Sequence, residues 1–430
     1  MVINRKKIKR LIFLHIYLIL FSGLFNSVLP LSSIHSRILD VCTFIEFAFT
    51  MKILKKEIRN INIKWPLVIV GILMCFSVVV GLSRLYSPII FIRGFYNIFK
   101  YFAFFVSCSV VLEIKDVKKV LNQFNILLVV NVFVCSVQYF LLGYKGDYCC
   151  GLFGSILVNS YLNVFICIVS IYAVVMYLNK EITLIKLVIS VLLSMYISGL
   201  SELKIFYFEL ILIFALAILY KRPNRKTVML MFAGTVALSV LTVIMELLWT
   251  SSSASLLSLN GVIQYITEAS GRSYGYATLN DLGRIGGISR VNSLFFDEKI
   301  NWLGYGIGYC DYGTPFFARY EDLHYMWFTY LINYLELGMI GLVLMIAFFV
   351  SVALSCLGAK YKKKPECEPY YSMVFIVAIL SIVLLYYNTT MRNIPAYLVF
   401  FVLSILGVIN KRNRGRAKQK KPPIGVMKRR

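Results

Sequence analysis

The sequence predicts an all-α integral membrane protein of about twelve transmembrane helices, with one large extracytoplasmic loop. Three observations predict it. Of 430 residues, 59% are hydrophobic and 15% charged, against about 25% charged in soluble domains, and mean hydropathy is +0.77. Apolar runs near the bilayer-crossing length of about 20 residues recur along the chain. Lys and Arg gather in alternate connections, the asymmetry that sets orientation. Residues 1–410 therefore read as one polytopic membrane domain. The basic segment 411–430, with Gly415, Pro422, Pro423 and Gly425, reads as a disordered cytoplasmic tail.

The first run, 11–31, follows Arg5, Lys6, Lys7, Lys9 and Arg10. That start resembles a signal peptide but lacks a small-residue cleavage site, so it reads as a signal anchor and first helix. Further spans are expected at 38–54, 65–85, 94–113, 121–143, 157–178, 183–200, 205–220 and 227–249. The long polar segment Thr250–Leu323 follows, and then spans 333–357, 370–388 and 394–410. Positive charge supports the count. Lys52, Lys55, Lys56, Arg59 and Lys64 share one side with Lys115, Lys118 and Lys119, with Lys180, with Lys221, Arg222, Arg225 and Lys226, and with Lys360 and Lys362–Lys364. The positive-inside rule makes that side, and both termini, cytoplasmic. The long loop then faces outward from a cell membrane.

The net charge of +25 would suggest nucleic acid in a soluble chain. Here loop placement accounts for it, and a basic juxtamembrane tail meets anionic membrane lipid. Seven cysteines lie in apolar runs or on the basic side; Cys149, Cys150 and Cys310 fall on the other. An oxidising compartment leaves open a bridge from Cys149 or Cys150 to Cys310. No spacing fits a metal site, and no cofactor motif is present.

A long ordered loop in a compact membrane protein is usually functional. This one carries Arg272, Arg284, Arg290 and Arg319 and ends at His324. Arginine presents a planar fork suited to phosphate oxygens, so Arg290 and Arg284 are candidates to bind a lipid pyrophosphate. His324, beside Glu321 and Asp322, is a candidate general base or donor. His15 reads as a packed core residue, and His35 lies in a short outer loop without a signal. Charges within spans are costly and need a reason. Arg93 and Lys100 bracket the start of the fourth span, Glu202 and Lys204 close the seventh, and Glu46, Glu209, Glu246 and Glu336 lie deeper. Arg93, Lys204 and Glu209 are candidates to line a polar cavity under the loop. Within the loop, Leu256, Leu257, Val262, Ile263 and Ile266 suggest a short amphipathic helix. Val291–Ile300 suggests another helix, and Gly304-Tyr-Gly306-Ile-Gly308 a close-packed turn.

Several segments carry a resemblance: Arg290-Val-Asn-Ser-Leu-Phe, Trp302-Leu-Gly304-Tyr-Gly306-Ile-Gly308, His324, and Tyr334-Leu-Glu336-Leu-Gly338-Met-Ile-Gly341. Their order resembles the superfamily of O-antigen ligases and Wzy-type polysaccharide polymerases, a GT-C-like glycosyltransferase class. Ser198-Gly-Leu-Ser-Glu202-Leu-Lys204 is similar to that family's small-residue exit from a middle span, with Lys204 where Arg is common. Tyr325 likewise departs from the small polar residue usual after the histidine. The resemblance implies transfer of a glycan from polyprenyl pyrophosphate to a hydroxyl of another lipid-linked repeat unit. It implies His324 and Arg290 as catalytic, and Arg284, Arg290, Arg93 and Lys204 on the pyrophosphate. Glu202 and Glu321 would orient or deprotonate the acceptor, without metal or cofactor. Implied partners are the polyprenyl-pyrophosphate-linked oligosaccharide, a chain-length regulator and a flippase. An O-antigen ligase-type transferase remains open, as does a lipid-linked oligosaccharide flippase.

Overall fold

The computed structural model describes residues 5–29, 31–57, 63–155, 159–221, 234, 286–360 and 367–419. Among them the chain is helical and contains no strand. Thirteen α-helices are described. The first eight are α1 (Arg5–Leu20), α2 (Ser32–Glu57), α3 (Lys64–Ser83), α4 (Pro88–Val111), α5 (Ile114–Ser136), α6 (Asn159–Leu178), α7 (Leu184–Leu200) and α8 (Lys204–Lys221). Two short ones, α9 (Gly287–Phe295) and α10 (Pro315–Tyr320), belong to the long loop. The last three are α11 (Thr329–Lys360), α12 (Glu368–Tyr387) and α13 (Ala396–Gln419).

Helices occupy eleven of the twelve expected spans; the ninth, 227–249, lies outside the described residues apart from Gly234. By length and composition, six described helices can cross a membrane, and α7 and the apolar part of α13 are shorter. α2 and α8 carry too many charged residues to meet that test, and α1 is short and basic. These helices are consistent with a multi-pass membrane protein. Burial ranks them: α6 has 89% of its apolar window enclosed, whereas α3 and α5 have 33%. α6 is therefore central, and α3 and α5 turn Trp65, Ile72, Ile126 and Phe133 outward, as a lipid-facing helix does. α4 packs against α2 and α13, while α11 packs against α3 and α12.

Several boundaries depart from expectation, each for a local reason. α4 begins at Pro88, a favoured first-turn proline, so Arg93 sits inside the helix. α5 begins at Ile114, because Glu113 and Asp116 form a capping box that satisfies its first amides. His35, expected in an outer loop, is buried on α2 and bonds the Leu18 carbonyl at 3.0 Å. α9 ends at Phe295, short of Ile300, because Asp297 and Glu298 adopt left-handed φ of 47° and 63°. α13 runs through Gln419, into the segment expected to be disordered.

Contacts between connections sort the bundle into two ends. At the lysine-rich end the Arg5 guanidinium donates to the Val110 and Val111 carbonyls that α4 leaves open. There too Lys9 meets Asp116 at 2.7 Å, Lys118 meets Glu181 at 3.8 Å, and Lys221 meets Glu368 at 3.0 Å. At the opposite end the Ser155 amide donates to Ser27 at 2.8 Å, Ser201 donates to the Cys149 carbonyl, and Thr329 donates to the Asn388 carbonyl at 2.8 Å. Each contact joins connections that the charge pattern assigns to one side. Lys221 lies at the first end and Gly287, beneath Tyr330, at the second.

Candidate functional site

The described part of the long loop is docked into the bundle by glycine. α11 is broken at Gly338, which has φ 66° and ψ −169°. The break frees backbone groups, and the loop satisfies them. Tyr305 and Gly306 amides donate to the Leu335 and Glu336 carbonyls at 2.7 and 2.9 Å. In return the Met339 amide donates to the Asn301 carbonyl at 2.8 Å. Gly304, Gly306 and Gly308 have φ of 76°, 104° and 81°, as the close-packed turn requires. A Cβ on Gly304 would overlap the Glu336 carbonyl; one on Gly308 would overlap Ile90, and one on Gly94 would overlap Gly308. Irregular backbone within an apolar bundle persists only where protein satisfies it, and this pairing does so.

The docking brings polar groups of three segments together. The Asn97 amide donates to Asp311 Oδ2 at 3.0 Å, and Arg93 Nε lies 3.6 Å from the same oxygen. Arg93 remains 56% exposed, so its charge faces outward. Deeper, Arg392, on the turn between α12 and α13, donates to the Glu336 carboxylate and to Asn333 Oδ1, the latter at 3.2 Å. Burial works against the Arg392 cation, but Glu336, with help from Asp311, more than restores it, so its pKa is raised. Glu336 is fully buried. Among the described residues its Oε1, Asn333 Nδ2, Asn301 Nδ2 and Thr390 Oγ1 find no hydrogen-bond partner. A cavity of about 10 Å³, enough for one water, opens beside Asn333 and Arg392 against Tyr101, Phe349 and Phe400.

Above this layer lies a second, smaller core built by Val291 of α9, Cys310, Phe316, Leu323, Tyr325 and Phe328. It carries two of the expected site residues. Arg290 is exposed on α9. His324 is half-buried in the left-handed region, φ 52°, between two short 3-10 turns, and its ring stacks on Trp327 at 4.1 Å. Tyr325 departs from the resembled pattern for a visible reason: it is buried, and its hydroxyl donates to the Cys310 carbonyl at 2.7 Å. Arg319 rests over the Tyr320 ring at 5.4 Å.

Other expected residues fall elsewhere. Glu202 is exposed, with φ 50°, and its carboxylate lies over Gly146 rather than beside Arg93. Glu321 is exposed at the start of a 3-10 turn. Lys204 opens α8, and its side chain lies outside the described residues, as do Arg284, Arg272, Glu246 and the helix expected near 256–266. Glu209 does not line a cavity under the loop: it is buried in the bundle with Asn163 at 2.9 Å and Cys167 at 3.0 Å. The bridge left open for Cys310 does not form. Cys149 and Cys150 lie in the large core and Cys310 in the small one, and among the described residues no disulfide is formed. Among the described residues no group of three His, Cys, Asp or Glu could hold a metal.

Arg392, Asp311, Asn97 and Asn333 were not singled out from sequence. Arg392 had a usable signal: it is the lone positive charge in a short connection on the charge-poor side. Asp311 had none, because its partners are about 215 residues away along the chain. Compared with known proteins, the chain matches no family model and no curated protein.

Proposed function

We propose that the protein is a membrane glycosyltransferase that joins polyprenyl-pyrophosphate-linked oligosaccharide repeat units into a surface polysaccharide at the outer face of a bacterial cytoplasmic membrane. One observation carries most weight. The loop expected to hold the chemistry docks through Gly304 and Gly308 at the end opposite the lysines, where it carries Arg290 and leads into His324, and its Asp311 meets Arg93 of α4. By the positive-inside rule that end is extracytoplasmic.

The chemistry needs little else. An acceptor hydroxyl oxygen attacks the anomeric carbon, the bond from that carbon to the diphosphate oxygen breaks, and the leaving diphosphate keeps the electron pair. His324 takes the hydroxyl proton. Arg290 and Arg93 stabilise the charge that develops on the leaving group. Glu336 holds Arg392 in an ion pair, so Arg392 braces α11, where the loop docks, rather than meeting the substrate. An acceptor outside the repeat-unit pool would make the same chemistry a ligase.

The direct test is reconstitution. Purified protein in lipid vesicles receives a lipid-pyrophosphate-linked repeat unit, and a ladder of longer glycans on a gel is the expected result. Single units that persist with folded protein and a proven substrate would remove the polymerase reading. A flippase would instead move the unit across the vesicle without lengthening it.

A further inference from the structure

A second polar system runs through the bundle away from the loop. Asp40, Thr43, Glu46 and Thr50 recur on one face of α2, at the three- and four-residue spacing that aligns helix side chains. Asp40 is the outermost. Its side chain is 32% exposed, and Lys100 Nζ of α4 meets it at 3.2 Å, above the rings of Tyr96 and Tyr101. One turn deeper, Thr43 Oγ1 bonds Tyr397 Oη of α13 at 2.8 Å. Tyr397 in turn packs edge-on to His15 of α1, with ring centres 4.6 Å apart. At the bottom, His15 Nδ1 lies 3.2 Å from Glu46 Oε1 and 3.3 Å from Oε2. Both residues are fully buried. Glu46 stands about 21 Å along α2 from Ser32, at a rise of 1.5 Å per residue.

We propose that His15 and Glu46 form a proton-binding site inside the bundle, entered from the loop-bearing end through Asp40, Thr43 and Tyr397. Four observations carry this. The two side chains meet at hydrogen-bond distance in the core, and an ionisable pair inside a membrane is costly without a task. Packed apolar residues of similar volume would be at least as stable, so stability does not explain the pair. His15 Nε2 and Thr50 Oγ1 are buried without a hydrogen-bond partner among the described residues, although a purely structural histidine would have both nitrogens satisfied. From Glu46 the polar side chains continue through Thr43 to partly exposed Asp40 at the loop-bearing end, whereas toward the lysine-rich end Thr50 is fully buried and Ile8 and Ile12 of α1 lie in the core.

The pair is built for a proton and not for a metal ion: it offers one imidazole and one carboxylate. One proton shared between them leaves the pair neutral as imidazolium and carboxylate or as imidazole and carboxylic acid. A second proton makes imidazolium beside a carboxylic acid, with no bond made or broken elsewhere. The other titratable groups facing it are His35 and Cys42 of α2, Cys108 and Tyr101 of α4 and Tyr397 of α13. Asp40 and Lys100 neutralise each other at the mouth. This inference does not rest on the glycosyl-transfer reading, and either survives failure of the other.

Infrared difference spectra test it, on full-length protein in lipid nanodiscs between about pH 5 and 8, the range in which histidine titrates. A buried carboxylic C=O band should grow as pH falls, and Glu46→Gln should abolish it. Thr43→Val keeps the side-chain shape and should leave the band, but slow its appearance after a pH jump by about two- to tenfold, the worth of one hydrogen bond. A wild-type spectrum without a titrating band, or a band that survives Glu46→Gln, overturns the site. Equal rates in Thr43→Val overturn the path. Should Glu46→Gln fail to fold, His15→Gln replaces it, and a titration that does not move overturns the proposal.

Discussion

The junction between loop and bundle can be tested with two alanines. Gly304 and Gly313 both have left-handed backbone, with φ of 76° and 78°. Alanine at either position incurs the left-handed penalty of about 1–2 kcal/mol. They differ in surroundings. A Cβ on Gly313 meets nothing within 4 Å, whereas a Cβ on Gly304 overlaps the Glu336 and Leu337 backbone. That backbone cannot yield as a side-chain tip would, so the loop must lift. Lifting breaks the bonds from Tyr305 and Gly306 to the Leu335 and Glu336 carbonyls, worth about 0.5–1.5 kcal/mol each. Gly304→Ala should therefore cost about 2–5 kcal/mol in total and Gly313→Ala about 1–2. Reversible unfolding in mixed micelles, followed by circular dichroism, measures both. Equal losses would refute the view that close approach, rather than φ alone, demands glycine at 304.

Arg392→Ala should destabilise by about 3–5 kcal/mol, because it strands the Glu336 carboxylate in the bundle; in the same unfolding assay, Arg392→Met with Glu336→Leu should recover most of that loss. Asp147 is exposed, yet partial desolvation of its carboxyl by neighbouring atoms raises its pKa, with the Asn159 bond acting against the shift. Its charged form is thus penalised in the fold, so Asp147→Asn should stabilise at neutral pH. The gain should vanish below about pH 4, where the acid is neutral folded and unfolded alike, and unfolding across pH reads it. In a complementation assay of surface glycan, Arg290→Ala and His324→Ala should each lower chain extension by about a hundredfold or more; normal long-chain glycan from both would reject their roles. Denaturing alkylation without reductant should label ten thiols per chain, and fewer would mean that a bridge forms after all.

The elements that were legible in sequence are those set by local rules. Apolar runs, punctuated by lysine-rich connections, located α3, α6, α7 and α8 within about two residues at each end, because hydropathy and charge act along the chain. The alternating glycines at 304–308 announced a tight turn, since only glycine takes those angles without strain. Helix starts were misjudged where a cap outweighed hydropathy, as at Pro88 and Glu113. The candidate site was half legible. Arg93, Arg290 and His324 stand out by type and position, but Asp311 and Arg392 acquire meaning only beside Arg93 and Glu336.

By itself the sequence determined a helical, membrane-suited chain with a lysine-rich end, an opposite end and a glycine turn, because hydropathy, charge and φ are properties of single residues and short runs. Only the tertiary structure decided that α11 breaks at Gly338 to receive the loop, that Arg392 neutralises Glu336, and that His15 faces Glu46. Those pairings join residues far apart in the chain. In a dry interior each buried charge needs its counterpart at hydrogen-bond distance, and three-dimensional packing alone can supply it.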